Sequence, residues 1–198
     1  PAGEPAGQVL AQVSAENQYR FDQACRVKAI ELAGSLFADH PEARVSINFM
    51  PNAVYEPAAC IRTSLAAAAR VGLPTERIVF ELSETEHVAD IGHMRRIVEA
   101  YGEMGFVTAL DDFGSGFSGL RLLSDFNPGV VKIDMQLLRG LDTDSRRRTI
   151  VAGVTRLARD LGITVVAEGV ETPGEAEVLR EIGIDLMQGY LFARPAFE

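Results

Sequence analysis

Six apolar runs of strand length, separated by segments with helical spacing, constrain this chain more than any other feature of its sequence. Arg44 to Pro51, Arg77 to Glu84, Phe106 into the Asp111-Asp112 pair, Val130 to Gln136, Thr164 to Glu171 and Leu186 to Ala193 each read as a strand. Runs such as Ile78-Val79-Phe80 and Thr164-Val165-Val166-Ala167 are continuous rather than alternating, as in parallel strands covered on both faces. The helical segments carry local start and stop signals. One is opened by Pro57 and closed by Gly72, and another runs from Val88 to Met104 ahead of Gly105. A short helix is expected around Leu120 to Leu123, and a longer one capped by Asp144 or Ser145 stops at Gly162. Thr172-Pro173-Gly174-Glu175 is a capping box with proline at the first helical position, and its helix ends at Gly183. A further helix, Asn17 to Phe37, precedes the first strand. Periodicity predicts buried faces made by Phe21, Cys25, Ala29, Leu32 and Leu36, by Ile91, Met94, Val98 and Tyr101, and by Ile150, Val154, Leu157 and Leu161. Strands that alternate with helices imply parallel βαβ units.

The polar residues gather where the strands end. Asn48, Glu81, Glu84, Asp111, Asp112, Lys132, Asp134, Glu168, Glu171 and Gln188 all lie in or just after strands, and all six strands contribute. An open doubly wound sheet collects its site at one switch point, whereas a barrel draws residues from many strand ends to one mouth. The distribution therefore predicts an α/β chain of the β/α-barrel type, one domain over residues 1–198. Six units are two short of eight, and 198 residues lies just below the usual lower bound of roughly 200 for that fold. The expectation is an N-terminally incomplete domain, with Pro1 to Gly7 a loop or a cut end.

Phe106 to Gly119, FVTALDDFGSGFSG, carries the sharpest chemistry. Adjacent strand residues point to opposite sides, so Asp111 and Asp112 can converge only where the strand frays into the glycine-rich turn; the strand is expected to end there. Two neighbouring carboxylates repel unless water or a cation compensates them, and oxygen-only ligands suit a hard divalent ion such as Mg²⁺ or Mn²⁺. A solvated Asp/Gly turn is the plainer alternative. Gly114-x-Gly116-x-x-Gly119 also matches a dinucleotide-binding fingerprint, with Asp134 at the expected distance. Against that stand Asp111 and Asp112, which would set negative charge beside a pyrophosphate. His40, His87 and His93 fall away from the strand ends, which argues against zinc.

Composition narrows the function classes. The 47% hydrophobic and 24% charged content is that of an ordinary globular chain. A formal charge of −9 argues against a nucleic-acid backbone as partner but allows a small anion where metal ions supply positive charge. Cys25 and Cys60 are too few for a disulfide framework and suit a reducing cytoplasm. No apolar run approaches the roughly 18 residues of a membrane span.

Five stretches in order, Phe80-Glu81-Leu82-Ser83-Glu84, Leu110 to Ser118, Val131-Lys132-Ile133-Asp134, Ala167-Glu168-Gly169-Val170-Glu171-Thr172 and Gln188-Gly189-Tyr190-Leu191, resemble the successive signatures of the EAL domain family. The resemblance covers about Arg44 to Pro195. It implies a TIM-barrel-like (β/α)8 fold, two divalent cations (Mg²⁺ or Mn²⁺), and bacterial cyclic di-GMP phosphodiesterase activity yielding linear pGpG. Carried over by position, Asn48, Glu81 and Asp111 would hold one metal, and Asp111 would bridge to a second completed by Asp112 and Glu168. Lys132 would orient the attacking water, with Glu168 and Glu171 in the catalytic set and Gln188 and Asp134 on the substrate side. Glu84 would anchor the Asp112 to Ser118 loop, in which Ser115 replaces the more usual threonine. The resemblance further implies a homodimer, a cytoplasmic location and a sensory or regulatory domain outside this chain, with no nucleic-acid partner.

The Glu-Ala-Leu motif that names the family, whose Glu is a metal ligand, is absent from the 198 residues, as is the arginine that usually follows it. Both are expected ahead of Pro1. The rival reading is a catalytically inactive EAL-like module that binds cyclic di-GMP or another protein. Survival of Asn48, Glu81, Asp111, Asp112, Lys132 and Glu168 favours the enzyme. Glu171 has a structural alternative as well, since it can simply favour the helix start at Thr172 and Pro173.

Overall fold

The computed structural model of the chain describes residues 6–14, 16–51, 54, 56–83, 90–116 and 118–195. Its elements are α1 (Ala6–Leu10), α2 (Gln18–Leu36), β1 (Val45–Asn48), α3 (Pro57–Cys60), α4 (Arg62–Val71), β2 (Ile78–Ser83), α5 (Ile91–Glu103), β3 (Val107–Phe113), α6 (Gly119–Asp125), β4 (Val130–Ile133), α7 (Met135–Leu138), α8 (Ser145–Asp160), β5 (Thr164–Ala167), α9 (Pro173–Ile182) and β6 (Leu186–Met187). Strand neighbours follow chain order in one six-stranded sheet. The β3–β4, β4–β5 and β5–β6 pairs are parallel, as the intervening helices require. The chain divides into two compact units, residues 1–80 with 88–106 and residues 81–87 with 107–198.

In the first unit Phe80 meets Tyr101 and Phe106 with ring centroids 5.3 and 5.1 Å apart. Helices α2 and α4 approach closely enough that a Cβ on Gly34 would lie 2.5 Å from Val71. The buried stripe of α2 is Asp22, Arg26, Ile30 and Ala33. This overturns the expected face: Cys25, Leu32 and Leu36 are exposed. Burial of the charged residues is possible because Arg26 Nη2 pairs with Asp22 Oδ2 at 2.6 Å and Met50 N–H donates to Asp22 Oδ1 at 3.0 Å.

The second unit packs Ile133 of β4 and Ala167 of β5 against Val151 of α8 and Ala176 and Leu179 of α9. Here too the expected helix face is displaced by one residue. Val151, Thr155 and Ala158 are buried, whereas Ile150, Leu157 and Leu161 are exposed and Val154 is half-buried. The face that packs carries small and β-branched side chains, which permit close approach to β5 but weigh less in a hydropathy pattern.

Caps behave as predicted. Asp144 accepts from the Arg146 and Arg147 N–H groups, the Thr172–Glu175 capping box is complete, and Gly72 and Gly183 end their helices with left-handed φ of 68° and 94°. Several extents differ. Ala6 and Gly7, expected in a loop, open α1, and β1 and β5 are shorter than expected, ending at Asn48 and Ala167. The helix opened by Pro57 breaks at Ile61, β4 stops at Ile133 because Asp134 caps α7, and β6 keeps only Leu186–Met187. Glu84 and His87 lie outside the described residues.

Candidate metal centre

In parallel register Val131 pairs with Val165, Lys132 with Val166 and Ile133 with Ala167. Ile133 and Ala167 face the helices, so Lys132 and, two residues beyond Val166, Glu168 face the other side of the sheet. On that side Lys132 Nζ lies 2.7 Å from Glu81 Oε1, 3.0 Å from Asp111 Oδ1 and 2.5 Å from Glu168 Oε1. Four strand ends thus deliver three carboxylates and one ammonium to a single point.

The Asp111-Asp112 pair converges by a route the sequence did not suggest. The strand does not end there: β3 continues to Phe113. Leu110 pairs with Val131 and Phe113 with Ile133, so three steps along β3 match two along β4, which is a bulge of one residue. Asp112 takes a left-handed φ of 56°. The extra residue breaks the alternation of sides, and aspartate tolerates this conformation better than most side chains. Ser83 Oγ then donates to Asp112 Oδ2 at 2.8 Å.

Oxygens of Asp111, Asp112 and Glu168 lie within 4.8 Å of one another. That span is about twice a metal–oxygen bond of roughly 2.3–2.6 Å, and all donors are hard oxygens, so the set fits a divalent cation. Burial is deep for charged groups: Glu81, Asp111 and Lys132 are 4%, 8% and 7% exposed. Burial pushes the Glu168 carboxyl up to about 7, with Asp111 adding to the rise and Lys132 opposing it. Burial alone would lower Lys132, but the hydrogen bonds it donates to Glu168 and Glu81 and the charges of Glu81 and Asp111 outweigh it and hold the ammonium above its ordinary value.

The remaining expected residues divide. Gln188 reaches the centre, its Nε2 donating to Glu168 Oε1 at 2.5 Å. Asp134 is committed as the cap of α7, accepting from Gln136 N–H at 2.8 Å. Glu171 pairs with Arg139 Nη2 at 2.5 Å. Ser115 Oγ is buried without a hydrogen-bond partner among the described residues, while its N–H donates to Asp112 O at 3.0 Å. Asn48 ends β1, exposed, in the first unit. Ser83 and Arg139 were not foreseen. Ser83 could have been found from its place between Glu81 and Glu84; Arg139 has no local signal, because its partner lies 32 positions away.

The sequence model of the EAL domain matches residues 14–195. Among solved structures, a cyclic di-GMP-bound standalone EAL protein from Vibrio cholerae O395 is 50% identical, superposes with a TM-score of 0.91 and is matched over 98% of this chain and 81% of its own. The manganese and cyclic di-GMP complex of Klebsiella pneumoniae BlrP1 is 38% identical with a TM-score of 0.90, over 99% and 50% of the two chains. The cyclic di-GMP phosphodiesterase PdeF of Escherichia coli K12 is 31% identical over 158 residues, 80% of this chain and 21% of that protein. The chain spans 17% to 43% of the length of the first curated relatives it matches. The TIM-barrel-like α/β fold class expected from the sequence holds. Among the described residues no helix is long and apolar enough to cross a membrane.

Proposed function

Since the chain belongs to the EAL domain family, we propose that it hydrolyses cyclic 3′,5′-di-GMP to linear pGpG with two divalent cations, Mg²⁺ or Mn²⁺. The observation that carries this reading is the convergence of the Asp111, Asp112 and Glu168 oxygens within 4.8 Å beside the Lys132 ammonium. Two cations in such a site activate water and neutralise phosphoryl oxygens. Asp111, with Glu81, is assigned to one ion and, with Asp112 and Glu168, to the other; Asn48 joins the first set by resemblance alone. Lys132 offsets the phosphodiester charge and orients the water. Gln188 fixes Glu168, and Ser83 fixes Asp112. Glu171, held by Arg139, is assigned to the catalytic set with Lys132 and Glu168, Gln188 and Asp134 to the substrate side, and Glu84 and Ser115 to the loop after β3. The new bond joins the water oxygen to phosphorus, and the P–O3′ bond breaks to leave a 3′-hydroxyl and a 5′-phosphate. Residues 1–198 act in this proposal as one phosphodiesterase domain, cytoplasmic and homodimeric, with regulatory input from a domain outside them.

The test is chromatographic detection of pGpG from cyclic di-GMP with Mn²⁺ or Mg²⁺, beside Glu81→Ala. Product that disappears in the variant supports the enzyme. Binding without product by the natural-length protein would replace it with the receptor reading.

A further inference from the structure

Asp111 and Glu168 are claimed twice. They form the oxygen group with Asp112, and they also hold Lys132 Nζ at 3.0 and 2.5 Å, on a side chain 8% exposed. We propose that Lys132 is a built-in counter-cation that competes with the divalent ion for these carboxylates and thereby sets the affinity of the centre. The inference rests on the metal-binding reading above. Glu81, Asp111 and Glu168 repel one another, and one positive charge among them keeps the cluster assembled. An incoming divalent ion meets that same charge, so its entry requires Lys132 to give up at least one contact. Lysine suits the task because its ammonium is a point charge on a flexible stem, which can swing aside without leaving the site.

Two experiments on the chelator-treated full chain test this. Calorimetric titration with Mn²⁺ is expected to show Lys132→Met binding roughly tenfold more tightly than wild type, the repulsion between the ammonium and the ion having been removed, while the charge-retaining Lys132→Arg binds no tighter than wild type. Because Lys132→Met leaves three buried carboxylates facing one another and can unfold, the wild type supplies a second readout. The sequence contains only two lysines, Lys28 and Lys132, so a ¹³C-lysine-labelled sample gives two ε-methylene signals. Titration with Mg²⁺ is expected to shift the Lys132 signal to saturation and leave Lys28 in place. Uptake of ions with the Lys132 signal unmoved, or with a folded Lys132→Met variant no tighter than wild type, overturns the inference and leaves the metal reading intact. A wild-type chain that takes up neither ion overturns both.

Discussion

Glu175 Oε1 accepts the backbone N–H of Gly140 at 3.2 Å, so the first turn of α9 fastens the turn that follows α7. Its other oxygen accepts from the N–H groups of Glu171 and Thr172 at 3.0 and 3.1 Å. One side chain, 3% exposed, thereby ties the loop after β5, which carries Glu168 and Glu171, to the rest of its unit.

Glu175→Gln is expected to lower stability at neutral pH by about 1–2 kcal/mol in urea denaturation, through weakened hydrogen bonds to a charged acceptor. Burial pushes the Glu175 carboxyl up, but the N–H groups of Glu171, Gly140 and Thr172 and the charge of Arg139 outweigh it and hold it below its ordinary 4.5. The unfolded chain then binds the proton more readily, so this contribution is present above 4.5 and lost as pH falls through the lowered value. Wild type should lose its margin over Glu175→Gln on acidification, and a constant difference between the two would sink the assignment.

At Asp112 backbone and ligand roles can be separated. Asn tolerates the left-handed φ of 56° but offers no negative charge, so Asp112→Asn should keep near wild-type stability and bind Mn²⁺ at least tenfold more weakly. Asp112→Val should instead lose about 1–3 kcal/mol of stability, since a β-branched side chain is strained in that region. Paired melting and calorimetry distinguish the two effects.

Gly189 has φ of 153°, and a Cβ there would lie 2.2 Å from Val170 O and 2.3 Å from Val170 N. The backbones meet because Val170 N–H donates to Gln188 O and Leu191 N–H to Val170 O, both at 3.0 Å. Gly189→Ala should part these loops and carry Gln188 away from Glu168, costing about 2 kcal/mol or more through lost hydrogen bonds and strain. A melting temperature equal to wild type would contradict it.

Asp22 and Arg26 form a buried pair, with Arg26 fully enclosed and two of its nitrogens lacking hydrogen-bond partners among the described residues. Removing one partner leaves a buried charge, so Asp22→Ala should cost about 3–5 kcal/mol. The double variant Asp22→Leu/Arg26→Met should recover most of that loss in chemical denaturation, because no charge is then left unpaired.

Local chemistry in the sequence determined where several helices begin and end. Asp144, the Thr172–Glu175 box, Gly72 and Gly183 act within a turn of their own position, so their neighbours in sequence suffice to reveal them. Strand order and the family signatures were legible for a related reason: consecutive βαβ units pair in chain order. Met94, Val98 and Tyr101 of α5 are buried as their spacing implied, but the buried faces of α2 and α8 were not legible. Leu32 and Leu157 lost to Arg26 and Thr155, because a buried face is chosen by the surface it meets, and Arg26 carries its own counter-ion one turn away in Asp22. The carboxylates of the centre were readable as residue types, but their convergence was not. It depends on a single unmatched residue between β3 and β4 and on a lysine placed among three strands, and pairing between distant segments alone fixes either.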